Sequence, residues 1–271
     1  MAHWAPEDIP WETFDPARVD PDIVKLVKAA AMVEKNSADY ATYLCNVFAD
    51  DLAFQKAARH WAREEVQHGD VLGRWAEMAD PDFDFPARFE TFKRGYRIAV
   101  DRVSSVRGSR SGELVARCVV EVGTSSYYSA LRDAVDEPVL KAICGRIAGD
   151  ELRHYKLFYS YLQRYQQDER PSRWARIKVV LGRIAESDDD ELSYAFYAAN
   201  NQGEPYRRRA NAAAYEVMAH GLYHRGTVRA AVAMTLEAAG LKSHGFLALA
   251  LSGLAWRVMR WRRRRLAHAA A

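Results

Sequence analysis

Two short stretches constrain this chain more than any other part of its 271 residues. Residues 63–70 read Arg-Glu-Glu-Val-Gln-His-Gly-Asp, and residues 149–154 read Gly-Asp-Glu-Leu-Arg-His. Each holds a Glu-x-x-His, and in each the residue before that Glu is also acidic. Positions i and i+3 share a face of an α-helix. Glu65 and His68 therefore point the same way, as do Glu151 and His154. A carboxylate beside an imidazole is half of a metal site.

One Glu-x-x-His alone is a weak signal, and the spacing of what precedes each pair carries more. Glu34 stands 31 positions before Glu65, and Glu121 stands 30 before Glu151. A helical hairpin whose two arms meet at mid-height needs about 15 residues up and 15 down, at 1.5 Å per residue. The turns should then fall near residues 49 and 136. Ala49-Asp50-Asp51 and Asp136-Glu137-Pro138 sit there, with acidic caps and a proline suited to a first helical position. The two hairpins are offset by 86 to 87 residues, as in an internal repeat.

All four Glu lie within apolar helical stripes. Val27, Ala31, Ala38, Ala41 and Cys45 share the face of Glu34; Leu114, Cys118, Thr124 and Tyr128 share that of Glu121. Solvated charges belong on the opposite face of an amphipathic helix. Four buried carboxylates without cations would be very costly. Two divalent ions with two neutral His would balance them. Two Glu-x-x-His helices plus two helices each giving one Glu describe a ferritin-like four-helix bundle with one long crossover. The expected fold is therefore all-α, with that bundle over residues 21–170, an arm over 1–20 and a helical extension over 171–271.

Composition agrees with a folded helical chain: 49% of residues are hydrophobic, and only 15 are Gly and 9 Pro. Cys45, Cys118 and Cys144 form no Cys-x-x-Cys and read as small core residues. The N-terminus lacks the charged start and apolar run of a secretory signal, so a cytoplasmic location is expected. The net charge of +3 hides an asymmetry: residues 257–271 carry six Arg and no acid, leaving −3 for the rest.

In chain order, the arm holds Trp4, Trp11 and Phe14 and should pack across the bundle. Helices are expected over about 21–48, 51–79, 87–105, 112–135, 138–167 and 172–186, then three or four more. The run Asp188-Asp189-Asp190-Glu191 should cap the next helix. Glu216, His220 and His224 fall at i, i+4 and i+8 with no partner motif, and are expected to form a partly exposed polar stripe. The last helix has twelve largely apolar residues, 245–256, followed by the Arg run. That is too short to span a bilayer. It suits an interfacial helix or a dock for an acidic partner, or else a packed helix with a solvated end.

With these residues in view, the sequence resembles the soluble acyl-acyl carrier protein desaturases over about residues 21–167. Glu64-Glu65-Val-Gln-His68-Gly69-Asp70 is similar to that family's Glu-Glu-x-Arg-His-Gly-Asp, with Gln67 in place of Arg. Asp150-Glu151-Leu-Arg153-His154 is similar to its Asp-Glu-x-Arg-His. Glu34 followed six residues on by Tyr40, and Glu121-Val-Gly-Thr124, look like its two other ligand regions. The resemblance implies that Glu65 and Glu151 bridge two iron ions, that Glu34 and Glu121 are terminal ligands, and that His68 and His154 bind one iron each. It implies that Asp150 holds the other ring nitrogen of His68, with Glu64 also standing behind the ligands, and that Thr124 acts in oxygen binding or proton delivery.

The function implied by the resemblance is that of an O2-dependent di-iron oxidoreductase that desaturates or hydroxylates a fatty acyl chain. It would use two Fe (Fe2+/Fe3+), or Mn/Fe, and an external electron donor such as ferredoxin. Its partners would be acyl carrier protein or a lipid acyl substrate and the donor protein, in a homodimer with peripheral membrane contact through the Arg tail. Ala31, Ala38 and Ala41 would line a pocket fit for a methylene chain. Two alternatives stand beside this: a di-iron tRNA hydroxylase, its Arg tail on phosphate, and a rubrerythrin- or ferritin-type protein handling peroxide or iron. The missing Cys-x-x-Cys speaks against a rubrerythrin, and the length against a storage ferritin.

Overall fold

A computed structural model describes residues 3–186, 190–201 and 203–270, with side chains to 268. Every regular element among them is helical. The helices are α1 (Pro21–Lys35), α2 (Ser37–Val47), α3 (Leu52–Ala79), α4 (Phe85–Gly95), α5 (Arg110–Ala134), α6 (Pro138–Glu169), α7 (Arg173–Ala185), α8 (Asp190–Asn200), α9 (Arg208–Leu222), α10 (Arg225–Ala238) and α11 (Phe246–Ala270).

The helix ends follow the local chemistry. Asp20 caps α1 by accepting from the amides of Asp22 and Ile23, with Pro21 as the first helical residue. Asp51 accepts from Phe54 N at the start of α3. Glu137 caps α6 through the Val139 and Leu140 amides, and its carboxylate also accepts from Trp75 Nε1 at 2.7 Å. Both hairpin turns thus lie where the Glu spacing puts them. α5 and α6 pack along one another, α1 packs against α3, and α3 meets α6 across the bundle.

Two apolar clusters occupy the two ends of these four helices. One holds Val71, Leu72, Trp75, Tyr128, Leu131, Leu140 and Ile143. The other holds Phe54, Ala58, Trp61, Leu114, Cys118, Phe158 and Leu162. The acidic and His motifs at 64–68, 121–124 and 150–154 lie between them in every helix. The C-terminal helices complete the same cores: Phe196 and Ala219 join the first, and Val180 and Ala238 join the second.

The structure departs from the expected helices in two places. The first helix does not run to residue 48. It breaks at Asn36, where Ser37 Oγ donates to the Glu34 carbonyl at 2.7 Å. The Asn36 side chain is held by Lys93 Nζ and by Glu191, both at 3.2 Å. Polar side chains of this kind compete with the helical backbone. Beyond the break Ala38 is exposed, whereas Ala31 and Ala41 are buried.

In the crossover, α4 ends at Gly95 instead of 105. A Cβ on Gly95 would fall 2.0 Å from the outer end of the Tyr194 ring of α8, so a larger residue there would have to displace that side chain. Of the acidic run, Asp190 and Glu191 stand in the first turn of the next helix, the end expected for them. Asp188 and Asp189 lie outside the described residues, Asp190 opens α8, and Glu191 is buried, accepting from Tyr40 OH at 2.5 Å.

The arm forms three 3-10 turns, Pro6–Asp8, Trp11–Thr13 and Pro16–Arg18. Trp4, Trp11 and Phe14 pack on the first apolar cluster.

Candidate metal centre

α1, α3, α5 and α6 each deliver one buried Glu to the same point. Glu34 comes from the last turn of α1, Glu65 and His68 from the middle of α3, Glu121 from α5, and Glu151 and His154 from α6. His68 is fully buried and the other five are at most 5% exposed. α1 and α3 can approach this closely because residue 69 is glycine. A Cβ there would meet Lys35 N at 2.6 Å and Ala31 O at 2.8 Å.

The six side chains form two groups able to hold a metal ion. One is Glu34, Glu65, His68 and Glu151; the other is Glu65, Glu121, Glu151 and His154. Glu65 and Glu151 belong to both. His68 Nδ1 lies 3.3 Å from Glu65 Oε2 and 3.2 Å from Glu151 Oε1. His154 Nδ1 lies 2.9 Å from Glu65 Oε1 and 3.7 Å from Glu121 Oε2.

Both Nδ1 atoms, Glu121 Oε1 and Glu151 Oε1 are buried without a hydrogen-bond partner. Buried polar atoms are normally paired. Four orphaned lone-pair atoms converging on shared carboxylates match the donor set of a divalent first-row metal pair.

The other ring nitrogens are engaged crosswise. His68 Nε2 lies 3.0 Å from Asp150 Oδ2, and His154 Nε2 lies 2.7 Å from Glu64 Oε2. Each acid that precedes one Glu-x-x-His thus serves the imidazole of the other. Such a contact fixes the tautomer and leaves Nδ1 free to act as a ligand. Arg153 Nη2 donates to Asp150 Oδ1 at 2.6 Å and reaches Glu64 at 3.4 Å.

The electrostatics are those of an anionic cluster in need of cations. Burial, reinforced by Glu65 and Glu151, pushes the Glu34 carboxyl well up. Burial also raises Glu121, aided first by Glu151. Glu65 is buried too, but the charge of His154 and the close approach of Glu34 and both imidazoles hold it well down. For Glu151, burial and Glu65 are outweighed by the two imidazoles. Burial would lower both His, yet Asp150 and the cluster carboxylates raise His68, and Glu65, Glu151 and Glu64 raise His154. Without metal, these shifts favour the proton-bound forms of Glu34, Glu121 and both imidazoles, which lessens the negative charge of the cluster.

Thr124 Oγ1 donates to Glu151 Oε2 at 2.7 Å, with the Glu121 carbonyl at 3.2 Å as its local alternative. Tyr40 points away from the cluster, toward Glu191 and Tyr96.

Three residues that touch the site were not assigned from sequence. Tyr128 OH donates to Glu34 Oε1 at 2.6 Å; it shares the Glu121 face, which is the signal that could have found it. His3 Nε2 and Trp4 Nε1 lie 2.8 and 2.7 Å from Asp150 Oδ2, and the Trp4 ring stacks on His68 at 5.9 Å. Nothing in local periodicity points from residues 3 and 4 to residue 150.

The second polar group does not form a line. His220 lies 3.7 Å from Glu216, which pairs with Arg262, while His224 has left α9 and caps α10. A groove of about 1240 Å³ lined by Val24, Lys28, Phe196 and Met218 includes none of the cluster residues. No protein-family model matches the chain, and no curated protein matches it in sequence.

Proposed function

We propose that the chain is a ferritin-like, non-haem di-iron oxidoreductase that uses O2 to oxidise a fatty acyl group, by desaturation or hydroxylation. The observation that carries this reading is the pair of ligand groups sharing Glu65 and Glu151, each group holding one buried imidazole nitrogen with no partner. In this reading Glu34 and His68 would hold one ion and Glu121 and His154 the other, with Glu65 and Glu151 available to both. Iron at both positions, or manganese at one, suits this ligand set. Reduced by an external donor, such a pair supplies the O2 activation that no side chain can perform.

The protein residues have separate tasks. Asp150 and Glu64 orient the two imidazoles and keep their outer nitrogens protonated. Thr124 holds a proton 2.7 Å from Glu151, where it can be passed on without displacing a ligand. Tyr128 anchors Glu34 beside the helix break at Asn36. The apolar clusters above and below keep bulk water out. The acyl assignment rests on the resemblance of the four motifs to the acyl-acyl carrier protein desaturases.

The experiment is mass spectrometry of cell lipids with the wild-type chain and with Glu121→Ala, alongside metal analysis of the purified protein. Close to two metal ions per chain and a wild-type-only acyl product are expected. Loss of two hydrogens identifies desaturation, and gain of one oxygen identifies hydroxylation. Unchanged lipids together with a modified tRNA base missing in the variant would replace the acyl reading with an RNA one.

A further inference from the structure

α11 carries a second face that no described residue covers. Its inner side is seated on α9 and α10: Ala248 and Ser252 are buried, and Arg262 pairs with Glu216 at 2.8 Å. On the outer side, Leu247, Leu254, Val258 and Trp261 are spaced by seven, four and three residues and form one stripe. They are 51, 55, 45 and 57% exposed. Single exposed hydrophobics are ordinary on protein surfaces, but an aligned row of large ones is not.

Cations frame that stripe. Arg257 lies three residues after Leu254 and four before Trp261. Arg264 and Arg265 follow Trp261 by three and four. All three are exposed, as is Arg260, and Arg265 lies over the Trp261 ring at 5.4 Å. Residues 246–270 contain no acid. Among the described residues no helix is long and apolar enough to cross a membrane.

We infer that α11 is an interfacial helix that docks the protein on an anionic lipid surface. The stripe enters the acyl boundary while the guanidinium groups reach the headgroups on their apolar stems. Charge complementarity selects this occupant. A second copy of the same face would set arginines against arginines. A soluble polyanion would satisfy the arginines and leave Leu254, Val258 and Trp261 in water. The inference is independent of the metal reading, since vesicle binding requires no bound metal.

Flotation of the full-length protein with phosphatidylcholine vesicles, with and without phosphatidylglycerol, tests it. The wild-type chain should float with the phosphatidylglycerol vesicles, stay behind with phosphatidylcholine alone, and lose binding as salt is added. Arg257→Gln with Arg264→Gln should weaken binding roughly fivefold per arginine, on the order of 30-fold together. Leu254→Ser with Trp261→Ser should weaken it on the order of 100-fold. Both pairs are exposed, so thermal melting and metal content should match wild type.

The inference is overturned if either double variant floats like wild type. It is overturned equally if the wild-type chain binds heparin but no vesicles, or if the stripe variant only converts a dimer to a monomer.

Discussion

Asp150 sits 3.0 Å from His68 and also receives His3, Trp4 and Arg153, so it is the most heavily used side chain around the centre. Burial works against its charge, but hydrogen bonds from His68, Arg153 and His3 hold its carboxyl far below the usual range. Asp150→Ala should therefore free His68 to rotate and lower metal affinity about 10- to 100-fold, as measured by competition with a chelator. Thr124 makes the opposite case. It touches Glu151 without being in either ligand group, so Thr124→Ala should retain close to full metal and lose turnover. Glu65→Ala and Glu151→Ala each remove a carboxylate common to both groups and should lose both ions. A Thr124→Ala protein that lost metal as readily as Glu65→Ala would remove the distinction between the roles. At this scale the six candidate ligand positions were legible in the sequence, because spacing of three along one helix is a local property. The crosswise pairing of Asp150 with His68 was expected only through the family resemblance.

Helices meet here at distances set by single residues. Gly69 lets α1 and α3 close on one another, and the atoms a Cβ would strike belong mainly to the α1 backbone, which cannot swing aside. Gly69→Ala should destabilise by about 1–3 kcal/mol through overpacking, despite alanine's better helix propensity. It should also weaken metal binding by moving Glu34 from His68. Gly123→Ala on the exposed side of α5, with nothing within 4 Å, is the control and should gain roughly 0.5–1 kcal/mol. Thermal melts of both variants decide the matter; equal stabilisation would mean that α1 yields. The starts of α1 and α6 and the end of α3 were readable from Asp20-Pro21, Glu137-Pro138 and Asp80-Pro81. The break at Asn36 was not, because its partners Lys93 and Glu191 lie 57 and 155 residues away.

Across the whole molecule, a metal held by the cluster would couple pH and folding. Glu34 and Glu121 are raised above the ordinary carboxyl value, and His68 and His154 above the ordinary imidazole value. Between pH 6 and pH 8 the metal-free folded state thus binds more protons than the unfolded chain. Its stability should fall as pH rises from the unfolded imidazole value of about 6.5 toward the raised folded values. Metal ions bound there would displace those same protons, so metal affinity should rise over the same window. The melting temperatures of metal-loaded and metal-free protein should accordingly move apart from pH 6 to pH 8. A constant gap would mean that protons and metal do not compete for the cluster. Glu65 and Glu151, held low, contribute their share above the ordinary carboxyl value and lose it only in acid.

Helical period and caps a few residues long were enough to set the all-helical class, the two hairpin turns and the six inward Glu and His. Each of these is a local property of the chain. The packing of the folded chain was needed to bring Trp4 and His3 over Asp150, to anchor Glu34 on Tyr128, and to bury Glu191 beside Tyr40. It also set which side of α11 stays in solvent. These contacts join residues up to 151 positions apart. They arise because two packed hairpins bring distant helix faces within hydrogen-bond range, a distance that no periodicity along one helix encodes.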